Sequence, residues 1–293
     1  MMGKVRKSKI RLDRLAIVMG ILVILVLLIY FTMNRLLSSN KKENIEKPPI
    51  VEVIEKSPYE EFYYYNRLNQ ERYISYHELN PDLDYDTVVW QVNANLDQVF
   101  YAEIMTISDF KTKPLLVNKY YALPSDYVPP NLVAIGNDKY MDQEAYEAYQ
   151  SMKEDAKEEG HTITIISAYR SYDYQSRLYN NYLSKYNDQE RVDTFSARPG
   201  HSEHQTGLAI DICGANGDYM KFEGTKESAW IIEHAHEYGF IIRYGEHIVD
   251  LTGYMYEPWH LRYVGKDVAR IMKENGIETL EEYIIKYVEY KGE

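Results

Sequence analysis

A run of nineteen residues without a charge constrains this chain most, because it divides the chain into parts that need different surroundings. The run, LAIVMGILVILVLLIYFTM at 15–33, would span about 28 Å as a helix, close to the hydrocarbon thickness of a bilayer. Six lysines and arginines lie within the first fourteen residues, a bias that favours a cytoplasmic N-terminus. We therefore expect a cytoplasmic basic tail at 1–14, a single transmembrane anchor at 15–33 in the cell membrane, and an extracellular remainder.

A cleaved signal peptide is the alternative interpretation of the same run. Such a peptide has a shorter apolar core and a small-residue cleavage site after it. Here the apolar run is long and is followed by NRLLSSNKKEN, which contains no such site. The sequence therefore favours a retained anchor.

The charge balance argues against one class of partner. The net charge is −12, and because the basic tail contributes positive charge, the residues after the anchor are more acidic still. Nucleic-acid binding needs a basic surface, so we expect no nucleic-acid partner. The single cysteine, Cys213, excludes an internal disulfide framework and a cysteine-rich zinc site. We expect Cys213 to be a small buried residue.

The remainder divides by composition and hydrophobic spacing. A polar, proline-containing linker is expected at 34–58, and three-to-four residue spacing of apolar side chains predicts a helical region at 59–112. Over 113–293 helices and short strands alternate without a regular βαβ period, which favours an α+β class. We expect a small antiparallel sheet with flanking helices and a metal site, preceded by the transmembrane helix and the small helical segment.

The stretch GHSEHQTGLAIDI, at 200–212, is the first of two places that indicate chemistry, because it combines two histidines, two acidic residues and two glycines. Alternation in LAIDI puts its leucine and isoleucines on a core face and Asp211 on the opposite face. His204 lies seven residues before Asp211, so on one regular strand the two would face opposite sides. They can share a site only if His204 lies in a preceding loop and Gly207 permits the bend.

The second place is EPWH, with Glu257 and His260 on either side of Trp259. A metal ligand next to a carboxylate is what a metal-activated water requires, because the carboxylate takes the proton of the water. A helical H-E-x-x-H motif is absent from the sequence. The two stretches lie about fifty residues apart and can meet only through the fold.

These residues resemble a known family. SEHQTGLAID matches the pattern S-x-H-x-x-G-x-A-x-D in full, and EPWH matches its partner E-x-W-H. Together they are similar to the VanY-type D-alanyl-D-alanine carboxypeptidases (VanY/LdcB-like) and more broadly to the zinc D,D-peptidases, which include D-Ala-D-Ala dipeptidases. The similarity extends upstream through LLVNKYYALPSDYVPPNLV and SAYRSYDYQ, so it covers roughly 113–265.

The resemblance implies a Zn²⁺ cofactor held by His204, Asp211 and His260, with Glu257 as the catalytic base. His201 lies close enough in sequence to His204 to be an alternative metal ligand. We expect it instead to contact either the substrate or one of the metal-ligating residues.

The resemblance also implies Arg170 as a catalytic and substrate-binding residue, with Gln175 and Ser202 as further substrate contacts. The position of Arg170 independently supports a substrate-binding role, because this residue lies where a predicted strand ends and a predicted helix begins. Its guanidinium and the helix N-terminus could then face the terminal carboxylate of a peptide together. A structural salt bridge is the alternative role for Arg170.

The function expected from these features is a membrane-anchored zinc carboxypeptidase that hydrolyses the terminal D-Ala-D-Ala bond of peptidoglycan stem peptides. An L,D-carboxypeptidase or a D,D-dipeptidase acting on the same wall peptides is the alternative. These activities differ in the loops around the substrate pocket, whose shape cannot be predicted from one sequence. A non-catalytic peptidoglycan-binding module is disfavoured, because Glu257 is present.

Overall fold

The structure is a computed structural model that describes residues 12–39, 56–110 and 114–288. Most of the basic tail expected at 1–14 and most of the linker expected at 34–58 lie outside the described residues. The chain divides into two compact units, Met1–Glu55 and Lys56–Glu293, each of which is described by itself.

The first unit contains one long helix, α1 (Leu12–Ser39). Its segment Ala16–Leu37 has a mean hydropathy of 2.9 and no buried side chains. By length and composition the helix can cross a membrane, as expected for 15–33, although a signal sequence near an N-terminus has the same properties.

The second unit mixes helices with short strands. Its helices are α2 (Gln70–Leu79), α3 (Tyr85–Asn93), α4 (Gln143–Glu158), α5 (Tyr172–Tyr186), α6 (Gln189–Asp193), α7 (Lys226–His234), α8 (Val249–Thr252), α9 (Lys266–Asn275) and α10 (Leu280–Tyr287). Its strands are β1 (Met105–Thr106), β2 (Tyr121–Ala122), β3 (Leu132–Gly136), β4 (Lys139–Asp142), β5 (Thr164–Ser167), β6 (Ala209–Cys213), β7 (Phe240–Ile242) and β8 (His260–Tyr263).

The four-stranded sheet organises this unit. Its strand order is β5-β6-β8-β7, and all three pairs are antiparallel. Ile210, Ile212 and Leu261 are fully buried in the main core, where each buried aliphatic side chain contributes roughly 1.5–3 kcal/mol. Buried residues of α4 and α7, among them Met152 and Trp230, belong to the same core. The expected α+β class with a small antiparallel sheet and flanking helices is confirmed.

Helix caps follow the sequence closely. The side chain of Asp142 accepts hydrogen bonds from the backbone at the start of α4, and Ser171 does so at the start of α5. These short acceptors satisfy backbone N–H groups that have no partner within the helix.

Short apolar runs and proline turns at 114–135 predict an extended loop, but a hairpin begins at the end of this stretch. Strands β3 and β4 pair antiparallel around Asn137 and Asp138, which have φ values of 51° and 55°. Asparagine and aspartate tolerate this left-handed conformation, which tight hairpin turns require. The loop prediction for 114–135 was therefore wrong at β2 and from Leu132 onward.

Aromatic and valine side chains of α2 and α3, within the region 59–112, form a second buried cluster. Tyr73, Val89 and Trp90 are buried in it. Ile285 of α10 belongs to the same cluster, so the N-terminal helices pack against the C-terminal helix within this unit.

Candidate active site

Strand register places one acidic and one basic side chain of the predicted site side by side. Asp211 on β6 pairs with His260 on β8, and Ser167 on β5 pairs with Asp211 from the other side. Side chains that are paired in adjacent strands project to the same face. The face opposite the core therefore carries a row of three polar residues across three strands.

His204 joins this row from outside the sheet, as the sequence predicts. It lies in a 3-10 turn, Glu203–Thr206, that ends at Gly207 with φ of 73°. The left-handed backbone favours glycine here, and a Cβ on Gly207 would also lie 3.3 Å from the backbone nitrogen of Asp142. The bend predicted at Gly207 is present.

The two histidine rings present different nitrogens to Asp211. His204 Nε2 lies 3.2 Å from Asp211 Oδ2, and His260 Nδ1 lies 3.0 Å from Asp211 Oδ1. His204 Nδ1 lies 2.7 Å from the carbonyl oxygen of Ala168 and must donate to it, which leaves Nε2 with its lone pair toward Asp211. Burial, with Arg170 as the next cause, lowers the pKa of His204 to about 4, so this ring is neutral near pH 7.

His204, Asp211 and His260 bring their ligand atoms within 4.8 Å of one another, and all three side chains are buried. Two imidazole nitrogens and one carboxylate oxygen are a donor set that zinc accepts, and three protein ligands leave a fourth position for water or substrate. The side chains that the sequence selects as metal ligands are thus gathered at one point and fit a zinc ion chemically.

Glu257 lies beside this cluster, in the wall of the same cavity. Its backbone N–H donates to the carbonyl of Tyr244, and its carbonyl accepts from the backbone of His260, so a tight turn holds it next to β8. Burial raises the pKa of Glu257 to about 8; His260 opposes this rise and Asp211 adds to it. A carboxyl group whose pKa lies near the working pH is suited to accept and return a proton.

Arg170 lies between β5 and α5, as the sequence predicts, and takes part in a salt bridge. Its Nη2 donates to Asp211 Oδ2 at 2.5 Å, and its Nε donates to Ser167 Oγ at 2.9 Å. The side chain also lines the cavity and is partly exposed there. The structure therefore combines the two roles considered for Arg170, a salt bridge and a cation facing the cleft.

Gln175 and Ser202 also lie in the cavity wall, and both are buried. The cavity has a volume of about 940 Å³ and runs from the histidine cluster along α5. Gln175 Nε2 donates to the carbonyl of Ala197, whereas its buried Oε1 has no hydrogen-bond partner among the described residues. Both residues that the sequence predicts as substrate contacts therefore lie in the cavity wall.

His201 lies away from the metal-type cluster. Its Nδ1 is 2.7 Å from the carbonyl of Asn118, and its ring packs edge-on against Tyr101. These two contacts are with residues outside the candidate metal ligands, and His201 is not among the three side chains that come together there.

A buried ionic network behind His260 escaped the sequence analysis. Glu203 Oε1 accepts from Arg243 Nε and from Arg262 Nη1, at 2.8 Å each, and Glu203 Oε2 lies 3.4 Å from His260 Nε2. Burial alone raises the pKa of Glu203, but Arg262 and Arg243 hold it well below its usual range. The signal that could have revealed Glu203 is its place directly before His204 in a segment that must fold inward.

The fold and the site together define a class: an α+β domain whose antiparallel sheet carries a candidate His, Asp, His metal site and a buried glutamate in one cleft. Comparison with known proteins agrees with this class. The family model for D-alanyl-D-alanine carboxypeptidase (VanY) matches residues 138–266. The chain belongs to this family of carboxypeptidases.

Individual relatives show how far the similarity extends. YodJ of Bacillus subtilis (strain 168) is 43% identical over 183 residues, which cover 58% of this chain and 66% of YodJ, slightly less than two thirds of its length. A solved structure of the LdcB LD-carboxypeptidase is 40% identical, covers 62% of this chain and 90% of its own, and has a TM-score of 0.58. A VanY D,D-pentapeptidase from a VanB-type resistance cassette, solved with Zn(II), is 30% identical, covers 58% and 97%, and has a TM-score of 0.52.

Proposed function

We propose that this protein is a zinc-dependent carboxypeptidase that removes the terminal D-alanine from peptidoglycan stem peptides ending in D-Ala-D-Ala. The observation that carries this proposal is the convergence of His204, Asp211 and His260 in one cleft with the buried carboxyl group of Glu257. The Zn(II) complex of the VanY relative supports the choice of metal.

His204, Asp211 and His260 would hold the zinc ion. When bound, zinc supplies Lewis acidity, which polarises a carbonyl group and makes a water molecule more acidic. Glu257 takes the proton of the attacking water and then delivers it to the nitrogen of the departing amino acid. Burial of Glu257 supports this role, because a raised pKa helps the carboxyl group to hold the proton between the two transfers.

Arg170 and the start of α5 would bind the free carboxylate that marks the end of the peptide. A guanidinium forms charge-assisted hydrogen bonds with a carboxylate, and the N-terminus of a helix also attracts anions. Gln175 and Ser202 would contact the substrate from the same wall. Recognition of a chain terminus is what distinguishes a carboxypeptidase from an endopeptidase.

Helix α1 indicates where the proposed activity takes place. We propose that α1 anchors the protein in the cell membrane with its N-terminus in the cytoplasm and its catalytic unit outside, where peptidoglycan lies. The apolar segment Ala16–Leu37 and the basic residues before it support this orientation.

L,D-carboxypeptidase activity on tetrapeptide stems is the second candidate. It is supported by the 40% identity with the LdcB LD-carboxypeptidase, against 30% with the VanY D,D-pentapeptidase. Both activities use the same proposed zinc site and differ in the stereochemistry of the residue before the scissile bond.

Digestion of defined peptides by the zinc-loaded full-length chain separates these candidates. We expect release of D-alanine from a stem pentapeptide ending in D-Ala-D-Ala, with much slower release from the tetrapeptide and no cleavage of the free dipeptide. Faster cleavage of the tetrapeptide would replace the D,D assignment by the L,D one. Absence of cleavage of every peptide by a chain that carries zinc would contradict the carboxypeptidase proposal.

A further inference from the structure

The carboxylate of Glu203 lies on the far side of the His260 ring from Asp211. His260 Nδ1 is 3.0 Å from Asp211 Oδ1, whereas His260 Nε2 is 3.4 Å from Glu203 Oε2. An imidazole that binds a metal through one nitrogen carries a proton on the other, and the hydrogen bond made by that proton fixes the ring. The two nitrogens of His260 thus have different surroundings, one in the cluster and one behind it.

Two arginines hold the Glu203 carboxylate in place. Arg243 Nε and Arg262 Nη1 both donate to Glu203 Oε1 at 2.8 Å, which leaves Oε2 for His260. Glu203 and both arginines are buried, with at most 1% of each exposed. Buried charged hydrogen bonds of this kind have few alternative geometries, so the position of Oε2 is fixed.

We propose that Glu203 is a positioning residue that holds His260 in the form with the proton on Nε2, and so presents Nδ1 to the metal. This inference rests on the proposed zinc site. His204 offers a parallel within the same cluster, because its Nδ1 donates to the carbonyl of Ala168 and directs Nε2 toward Asp211. Each histidine is therefore oriented by a fixed acceptor on the side away from the cluster.

Glu203→Gln tests this role with almost no change in size. The Gln oxygen stays toward the two arginine donors, so its NH₂ group takes the place of Oε2 and meets His260 Nε2. A donor in that place favours the opposite proton arrangement, with the proton on Nδ1. We expect zinc affinity, measured by competition with a chelator on the full-length chain, to fall by about 10–100-fold.

Glu281→Gln is the matched control. Glu281 is also buried and accepts from the same arginine, at 2.7 Å from Arg243 Nη2, and from Asn118 Nδ2. Its Oε2 has no hydrogen-bond partner among the described residues, and Glu281 makes no hydrogen bond to His260 there. Removal of this charge also affects Arg243 but leaves the acceptor that faces His260 in place, so we expect zinc affinity to stay within about threefold of the wild type.

A spectroscopic measurement on the wild type keeps the proposal testable even if Glu203→Gln does not fold. In the zinc-loaded chain labelled with ¹⁵N-histidine, long-range proton–nitrogen correlations should show His260 protonated at Nε2 and metal-bound at Nδ1. Zinc on Nε2, or equal zinc affinity in the Glu203 and Glu281 variants, would overturn the role of Glu203 and leave the zinc site standing. A wild-type chain that binds no zinc overturns both.

Discussion

Three buried carboxyl groups around one cavity differ in pKa because their neighbours differ. Burial raises the pKa of each, and nearby cations decide the outcome. Glu203 accepts from two guanidinium groups, and Asp211 faces His204 and Arg170, so the pKa of both is held below the ordinary range. Glu257 has weaker compensation, and its pKa rises to about 8. Residue type alone therefore does not assign a role, whereas the contacts do.

The raised pKa of Glu257 predicts a pH dependence of stability in the metal-free protein. Between pH 4.5, the ordinary pKa, and about 8, the folded chain keeps a proton on Glu257 that the unfolded chain has lost. The contribution of Glu257 to the stability of the folded state is therefore fully present below the ordinary pKa and is lost as pH rises through about 8. The groups that act on it are His260, Asp211 and Arg170.

Thermal unfolding of the chelator-treated chain from pH 5 to 8 measures this effect. The Tm of the wild type should fall relative to that of Glu257→Gln, which has no titrating group at this position. The difference in Tm between the two proteins should change by several degrees, since 1 kcal/mol shifts the Tm of a domain of 150–250 residues by roughly 2–4 °C. Parallel curves for the two proteins would show that Glu257 titrates in the ordinary range.

Sequence reasoning reached His204, Asp211, His260 and Glu257 because their chemical types are rare in this pattern and their spacing matches a complete motif. The structure brings these four side chains together in one cavity wall. Glu203 lies in the same motif, at a position that the pattern leaves open, so the sequence assigns it no role. Its contact with His260 spans 57 positions and depends on two arginines that no local pattern connects.

At the scale of elements, the site depends on a turn and on a strand pairing. Alternation in LAIDI correctly assigns Asp211 to the face opposite the core, and the same reasoning requires the turn at Gly207. The register that pairs Asp211 with His260 could not be predicted, because alternation fixes which face a residue occupies but not which residue lies opposite. The β3–β4 hairpin was not predicted, because its two central turn residues are Asn137 and Asp138 and the glycine lies before them, at Gly136.

Gly207→Ala should reduce both stability and zinc binding. Alanine in the left-handed region costs roughly 1–2 kcal/mol, and here its Cβ would also meet Leu132 Cδ2 at 2.8 Å. Leu132 can rotate away from that contact, but the Cβ would also lie 3.3 Å from the backbone nitrogen of Asp142, so the turn that carries His204 must shift by a few tenths of an ångström. We expect a larger loss of unfolding free energy than from backbone strain alone, together with weaker zinc binding.

Gly224→Ala separates strain from packing. Gly224 has φ of 72°, almost the same as Gly207, but a Cβ there meets nothing within 4 Å. This substitution should lower the free energy of unfolding by about 1–2 kcal/mol because of backbone strain, and it should leave zinc affinity unchanged. Denaturant unfolding and chelator competition on both variants compare the two glycines directly. Equal losses of stability with normal zinc affinity at Gly207 would mean that the turn does not position His204.

At the scale of the whole second unit, a polar network connects the cluster to the C-terminal helix. It runs from His260 through Glu203 and Arg243 to Glu281 of α10, and Asn118 donates to Glu281 from another segment. Its members lie far apart in sequence, so only the completed fold assembles them. Fold class follows from local patterns in the chain, whereas this long-range ionic support does not.

The proposed carboxypeptidase reaction depends on one chemical event, the transfer of a proton through Glu257 inside a buried cleft. The most direct test compares the zinc-loaded full-length wild type with Glu257→Gln on a stem pentapeptide ending in D-Ala-D-Ala, with zinc content measured on the same samples. The variant should retain zinc and release D-alanine at least about 100-fold more slowly, since general acid–base catalysis contributes typically 10²–10⁴-fold. Release at a near-normal rate by a zinc-loaded Glu257→Gln chain would contradict the account.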